Sequence, residues 1–252
     1  MQFSPVTDPG RVPALMDLWM EAFGEEKEAV LPFFREIFPL CRAWQTEEDG
    51  VLCAMGYALP QTVRIGETDL PAAYLYAVAT KKEYRGRGIA SRLLQEMEQA
   101  LRDEGFAGLL LVPANVGLFA FYEKLGLLPF SFRDWMTVAA EAGEVETCSP
   151  EEYLGLRKRY LREFPHNVPP AAVLNHLMLF RWQGGCGAAE RTESGVVFRE
   201  LLGDPSGAAA ALTAMGETTA RAMLPAGDVP YAVAKPLTTD FPKTGYFAFA
   251  ME

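Results

Sequence analysis

The chain has 252 residues, half of them hydrophobic and 22% charged, an ordinary globular composition for one large or two modest domains. Its formal net charge is −10, which excludes the basic footprint of a non-specific nucleic-acid binder and is compatible with a cationic substrate. No apolar run reaches the roughly 18 residues that suggest a membrane span, and MQFSPVTDPG does not read as a signal peptide, so a cytoplasmic protein without a membrane partner is expected.

Asp8-Pro9 precedes Leu15, Leu18, Trp19, Ala22 and Phe23, whose spacing predicts a helix that breaks at Gly24. The next segment, EEKEAVLPFFREIF, is acidic first and aromatic later. Residues 43–66 read as paired strands, with Glu48-Asp49-Gly50 as the hairpin signal. AAYLYAVA (72–79) is a strand carrying Tyr74 and Tyr76 on one face. Ile89, Leu93, Leu94, Met97, Ala100 and Leu101 recur at helical spacing up to a stop at Gly105. GLLLVPA is a buried strand, VGLFAFYEKLG a short helix ended by Gly126, and FSFRDWMTVA a further strand. This alternation predicts a mixed α/β sheet.

Composition shifts at 140–150. Ser149-Pro150-Glu151-Glu152 is then a capping box that opens a new helix. A boundary is therefore expected near residue 145, dividing the chain into 1–143 and a smaller α+β domain over 144–252. The second part carries strand-like runs CGAAE, GVVFRELL, ARAMLPAG, YAVAKPL and YFAFAM. The cysteines (Cys41, Cys53, Cys148, Cys186) are widely spaced, form no CxxC and read as reduced thiols. His166 and His176 have no cysteine pair nearby, so no metal site is expected.

The chemistry-bearing stretch is VATKKEYRGRGIASRLL (78–94). Free N–H groups at a helix mouth form an anion nest, glycines admit a phosphate, and Arg85 and Arg87 add charge. A Walker loop fails for want of its lysine. A dinucleotide fingerprint is weak, because Ser91 holds its sixth position and no ribose-binding acid follows the next strand. Arg85-x-x-Gly88-x-Ala90 instead resembles the acyl-coenzyme-A motif of the GNAT N-acetyltransferase superfamily. VAT before it resembles that family's fourth strand. Asn115-x-x-Leu118-x-x-Phe121-Tyr122-Glu123-Lys124-x-Gly126 is similar to its later helix segment. The likeness follows element order over residues 1 to about 138 and is motif-specific over about 74–130; Leu127 stands where an aromatic is commoner.

The resemblance implies a GNAT acyl-CoA N-acyltransferase fold and acetyl transfer from acetyl-CoA to a small-molecule or peptide amine. It implies cofactor contacts from Val78, Ala79, Thr80, Arg85, Gly86, Arg87, Gly88, Ile89, Ala90, Ser91 and Asn115. An oxyanion donor is implied near Val78, and Tyr122 stands where the family often places its general acid. Tyr122 has packing as its alternative role, and Asn115 has helix capping. Tyr74, Tyr76, Trp19, Phe23, Phe33 and Phe34 are acceptor-side or core aromatics. Glu25, Glu26, Glu67, Asp69 and the terminal Glu252 are the carboxylates considered for the base, each with a solvated role as its alternative. The second half resembles a degenerate second GNAT-like domain in element order, with no cofactor loop. It is expected either to close the acceptor side or to serve dimerisation and stability, so a homodimer is allowed. A non-catalytic acyl-CoA sensor is the alternative to an enzyme.

Overall fold

The computed structural model describes residues 1–250 (the Ala226 side chain excepted). β1 (Gln2–Pro5) leads to α1 (Val12–Phe23) and α2 (Lys27–Pro32). Then come β2 (Arg42–Glu48), β3 (Val51–Ile65), β4 (Thr68–Thr80), α3 (Ile89–Asp103), β5 (Gly108–Leu111), α4 (Phe119–Glu123) and β6 (Leu128–Ala139). The second part contains β7 (Glu146–Thr147), α5 (Pro150–Tyr160), β8 (His166–Val168), β9 (Met178–Trp182), β10 (Gly185–Thr192), β11 (Gly195–Gly203), α6 (Ser206–Met215) and β12 (Thr219–Pro236).

The result is a mixed α/β fold built on one large sheet in the order β1-β2-β3-β4-β5-β12-β11-β10-β9-β7, with β6 on β12 and β8 on β3. Period-two alternation sorts the side chains of its strands. Tyr57, Leu59 and Tyr74 face α1, α2 and the C-terminal segment, whereas Cys53, Ala58, Ala73 and Leu75 face α3 and α4. Local signals act as the sequence suggests. Glu48 pairs with Val51 across the hairpin, Gly24 closes α1 by donating to the Met20 carbonyl, and Ser149 and Glu152 form a reciprocal capping box.

Two segments differ from expectation. ARAMLPAG and YAVAKPL are one strand, β12, whose register on β6 jumps between Leu224 and Val229. YFAFAM is not a strand over its described residues: Tyr246 to Phe249 are buried, Phe249 takes φ +61°, and among these residues the only bridge is between Tyr246 and His166. EEKEAVLPFFREIF forms α2 and then, after Pro32, a wide π-type turn over Phe33–Ile37.

Hydrogen bonding also runs across the boundary expected near residue 145. Val233–Pro236 of β12 pair with Leu111–Gly108 of β5, and the same strand pairs with β6 on its other side. Further along, Ala220–Ala222 pair parallel with Val196–Phe198 of β11. A strand from the C-terminal half thus lies between two strands of the N-terminal half.

The halves also meet in a buried polar network. Arg157 pairs with Glu200 at 2.8 Å, both essentially solvent-free, and Tyr153 donates to the same carboxylate at 2.9 Å. Arg157 also donates to the Asn167 carbonyl at 2.7 Å. The Asn167 side chain accepts from the Ala248 amide, donates to the Ala248 carbonyl and donates to Gln61, each at 3.0 Å. This clamp holds Phe247 against Tyr74, with ring centroids 5.1 Å apart.

Arg157→Met should cost about 3–5 kcal/mol, because it leaves Glu200 charged and buried, whereas Arg157→Met with Glu200→Leu should recover most of that loss. Urea unfolding midpoints of the two variants check this. His166, buried with Nδ1 2.8 Å from the Phe164 carbonyl, has its pKa pushed down to about 4 by desolvation. The unfolded state therefore binds the extra proton first, and stability should fall as pH drops from about 6.5 to about 4. Denaturation of His166→Gln across that window should show a shallower acid slope.

Candidate active site

β4 and β5 run parallel and paired only through Ala72–Leu75 and Gly108–Leu111. Beyond Leu75, β4 keeps its partner β3 but has no strand on the other side among the described residues. The β3–β4 register slips here: Met55 faces Ala79 and Tyr57 faces Tyr76, so Gly56 stands opposite both Ala77 and Val78. This is a β-bulge, and Ala77 takes φ +47°, a conformation that a side chain with a Cβ rarely adopts. The bulge re-aims backbone groups where the two strands part.

That gap opens into a cavity of about 590 Å³. β4 supplies Tyr74 to Val78, and the segment after β5 supplies Val112 to Val116. Phe119 and Tyr122 come from α4, Trp19 and Phe23 from α1, and Glu25 from the loop after it. Arg133 of β6 and Val229, Pro230 and Tyr231 of β12 complete the wall. Tyr122 is 6% exposed, and burial pushes its phenol up to about 12, so it stays protonated at neutral pH. No partner of its hydroxyl is found among the described residues. Asn115 heads the turn into α4, where its carbonyl accepts from the Leu118 amide. Its side chain makes no capping bond, so only the backbone does the capping that the sequence suggested.

The strand continues through Ala79 and Thr80 into the loop 81–88 and then α3. Gly86 and Gly88 have φ of +75° and +73°, and Gly88 is the N-cap of α3. The amides of Gly86 to Ser91 have no acceptor among the described residues, the arrangement of an anion nest. The two arginines are braced by the protein. Arg85 donates to the Thr80 carbonyl at 3.0 Å, and Arg87 pairs with Glu48 at 2.7 Å while lying over the Tyr84 ring.

The structure therefore brings Val78, Asn115 and Tyr122 onto one cavity wall. Ala79, Thr80 and Arg85 to Ser91 lie just beyond it along the chain. Trp19, Phe23, Tyr74 and Tyr76 also line the cavity, whereas Phe33 and Phe34 are core residues packed on Trp19. Of the acids, Glu25 lines the cavity and Glu26 is the N-cap of α2. Glu67 and Asp69 lie at the far end of β4 from the splay, engaged by Lys158 and Arg64 at 2.8 and 2.6 Å, so they are removed from the base candidates. Glu252 lies outside the described residues. Sequence reading missed Arg133 and Tyr231, because nothing local says that β6 and β12 fold over this gap.

Residues 5–129 match the family model for the acetyltransferase (GNAT) domain. No curated protein matches the chain significantly. Among solved structures, a GCN5-related N-acetyltransferase from Kribbella flavida superposes with a TM-score of 0.74 at 17% identity, covering 94% of this chain and 72% of that one. A GCN5-related N-acetyltransferase from Anabaena variabilis gives 0.72 at 14%, covering 94% and 73%. Eis1 from Mycobacterium abscessus gives 0.70 at 10%, covering 94% and 74%. At these identities the likeness is one of fold, and it extends well past residue 129 into the second half.

Gly88→Ala isolates the backbone demand of the nest, since the added Cβ meets nothing within 4 Å. It should cost about 1–2 kcal/mol through its left-handed φ alone, read as a lowered urea midpoint with an unchanged m-value.

Proposed function

We propose that this chain, which through residues 5–129 belongs to the GNAT acetyltransferase family, transfers an acetyl group from acetyl-CoA to a primary amine. The observation that carries the reading is the convergence, on one cavity, of the stretch of β4 beyond its pairing with β5, Asn115 and a buried protonated tyrosine.

The bound cosubstrate supplies an activated thioester; the protein supplies placement and charge. The amides of Gly86 to Ser91 at the mouth of α3 suit the pyrophosphate, with Arg85 and Arg87 beside them. Val78 and Ala79 lie where β4 has lost β5, so this edge suits the amide-bearing arm, as a strand offers itself to a peptide, with Thr80 next along the chain. At the bulge, the backbone near Val78 is the donor for the charge that develops on the carbonyl oxygen. Asn115 adds a polar contact across the gap. Tyr122 gives its proton to the departing sulfur. Glu25, the one carboxylate among the described lining residues, is placed to take the proton of the incoming ammonium.

Tyr122→Phe keeps the buried ring and removes only the hydroxyl. It should lower kcat by about a hundredfold and leave the calorimetric Kd for acetyl-CoA within about twofold. An unchanged kcat would remove the acid role from Tyr122. Binding of acetyl-CoA without thiol release on any amine would point instead to an acyl-CoA sensor.

A further inference from the structure

Resting on the transferase reading, we infer that Lys235 of β12 is a positioning residue for Tyr122. From the C-terminal half, it ties the turn that closes on the tyrosine to the helix that carries the nest.

The first support is a chain of contacts. Lys235 Nζ donates to the Leu125 carbonyl at 2.8 Å and pairs with Glu98 of α3 at 2.6 Å. Leu125 and Leu127 in turn donate their amides to the Tyr122 carbonyl, at 2.9 and 3.1 Å. Gly126 between them has φ +83°, and a Cβ there would stand 3.2 Å from Lys235 Cε, so the turn lies directly against the lysine stem. One ammonium therefore holds the turn whose two amides hold the backbone of Tyr122. Glu98 carries the tie to α3, where Arg102 braces it at 3.1 Å and also donates to the Leu237 carbonyl at 2.6 Å. The nest is the N-terminus of that same helix.

The second support is the place of the lysine in the strand. Lys235 stands opposite Leu109 of β5, and its alternate neighbours Val233 and Leu237 are buried in the core that α3 and α4 share. It lines a small cavity of about 190 Å³, together with Glu98 and the side chains of Leu75, Leu94 and Leu127. Leu75 is the last residue of β4 paired with β5, and it lines the larger cavity as well. An apolar side chain would meet the packing demand here without the desolvation of a half-buried ammonium. What the ammonium adds is direction: two charge-assisted bonds, to a carboxylate and a carbonyl, set a geometry that apolar packing leaves loose. A proton donor is sensitive to that geometry, since it acts only within hydrogen-bond reach of its target.

The test uses the full chain. Coenzyme A thiol release from acetyl-CoA is followed with 2-phenylethylamine, hexylamine, spermidine and kanamycin, and the fastest amine is carried forward. Lys235→Met keeps the stem and removes the ammonium. It should lower kcat about tenfold while the KM for the amine and the calorimetric Kd for acetyl-CoA stay within about twofold. In a Tyr122→Phe background the same change should cost less than about twofold, because the group that Lys235 positions is already gone. Lys158→Met, which breaks the remote pair with Glu67, should leave kcat unchanged. If Lys235→Met does not fold, Glu98→Gln takes its place: it loosens the lysine from α3 and should show the same dependence on Tyr122. An unchanged kcat, an equal loss in both backgrounds, or a loss of acetyl-CoA affinity overturns the inference and leaves the transferase reading standing. A Tyr122→Phe variant as fast as the wild type overturns the inference together with the acid role. Absence of thiol release by the wild-type chain on any of the amines overturns the inference together with the transferase reading.

Discussion

Everything at the site depends on two parallel strands that pair for four residues and then part. In a sheet, each lost ladder bond leaves a donor or acceptor needing another partner. β4 loses β5 as a partner after Leu75, yet its other edge stays paired with β3 on both sides of the bulge, so the strand stays anchored through Thr80. The bulge at Ala77 and Val78 falls at the same point and alters which backbone groups face the gap. The cavity, the donors that line it and the course of the chain into the α3 nest all follow from that local failure of pairing.

What keeps the gap from closing is a strand from far along the sequence. β12 sits between β5 and β6 and pairs with both, which fixes the position of β5 from the side opposite β4. The same strand delivers Tyr231 to the wall and, at its other end, joins the C-terminal sheet through β11. The tail adds a second tie. Asn167 binds both backbone groups of Ala248, and Phe247 then packs beneath Tyr74. The C-terminal half thus builds part of the cavity wall in addition to lying beside it. The Arg157–Glu200 pair behind the clamp is costly to desolvate. Its several partners (Tyr153 and Asn167 among them) make the arrangement a specifier of register more than a source of net stability.

Legibility in the sequence followed contact range. The hairpin at Asp49-Gly50, the capping box at Ser149 and the amphipathic face of α3 are set by residues a few positions apart, and each is readable from the string alone. The nest was readable for the same reason, since its glycines, arginines and helix start are contiguous. The union of Val78, Asn115 and Tyr122 was reachable only through the family resemblance, because it needs the topology of the sheet. The place of β12 was not readable. LPAG looks like a turn between two strands, yet cross-strand bonds to β6 carry the chain through it with a register jump. YFAFAM has the composition of a strand, but the partner it finds is the Asn167 side chain, and no periodicity announces a side-chain clamp. Arg133 and Tyr231 belong to the same class of non-local fact.

Burial also bears on the hardest step. An alkylamine with a pKa near 10.4 is almost wholly protonated at neutral pH, and freeing it costs about 4–5 kcal/mol. At Tyr122, desolvation pushes the phenol up to about 12, because burial disfavours the anion. The same desolvation acts on an ammonium in the opposite sense, since its charged form is the protonated one, and lowers its pKa. On the proposed transferase reading, one physical cause acts on both partners: it keeps the Tyr122 phenol protonated and favours the neutral form of a bound amine. On the same proposed reading, Glu25, an exposed carboxylate lining the cavity, accepts a proton that burial disfavours. A wall rich in carboxylates would have the reverse effect, holding the ammonium charged.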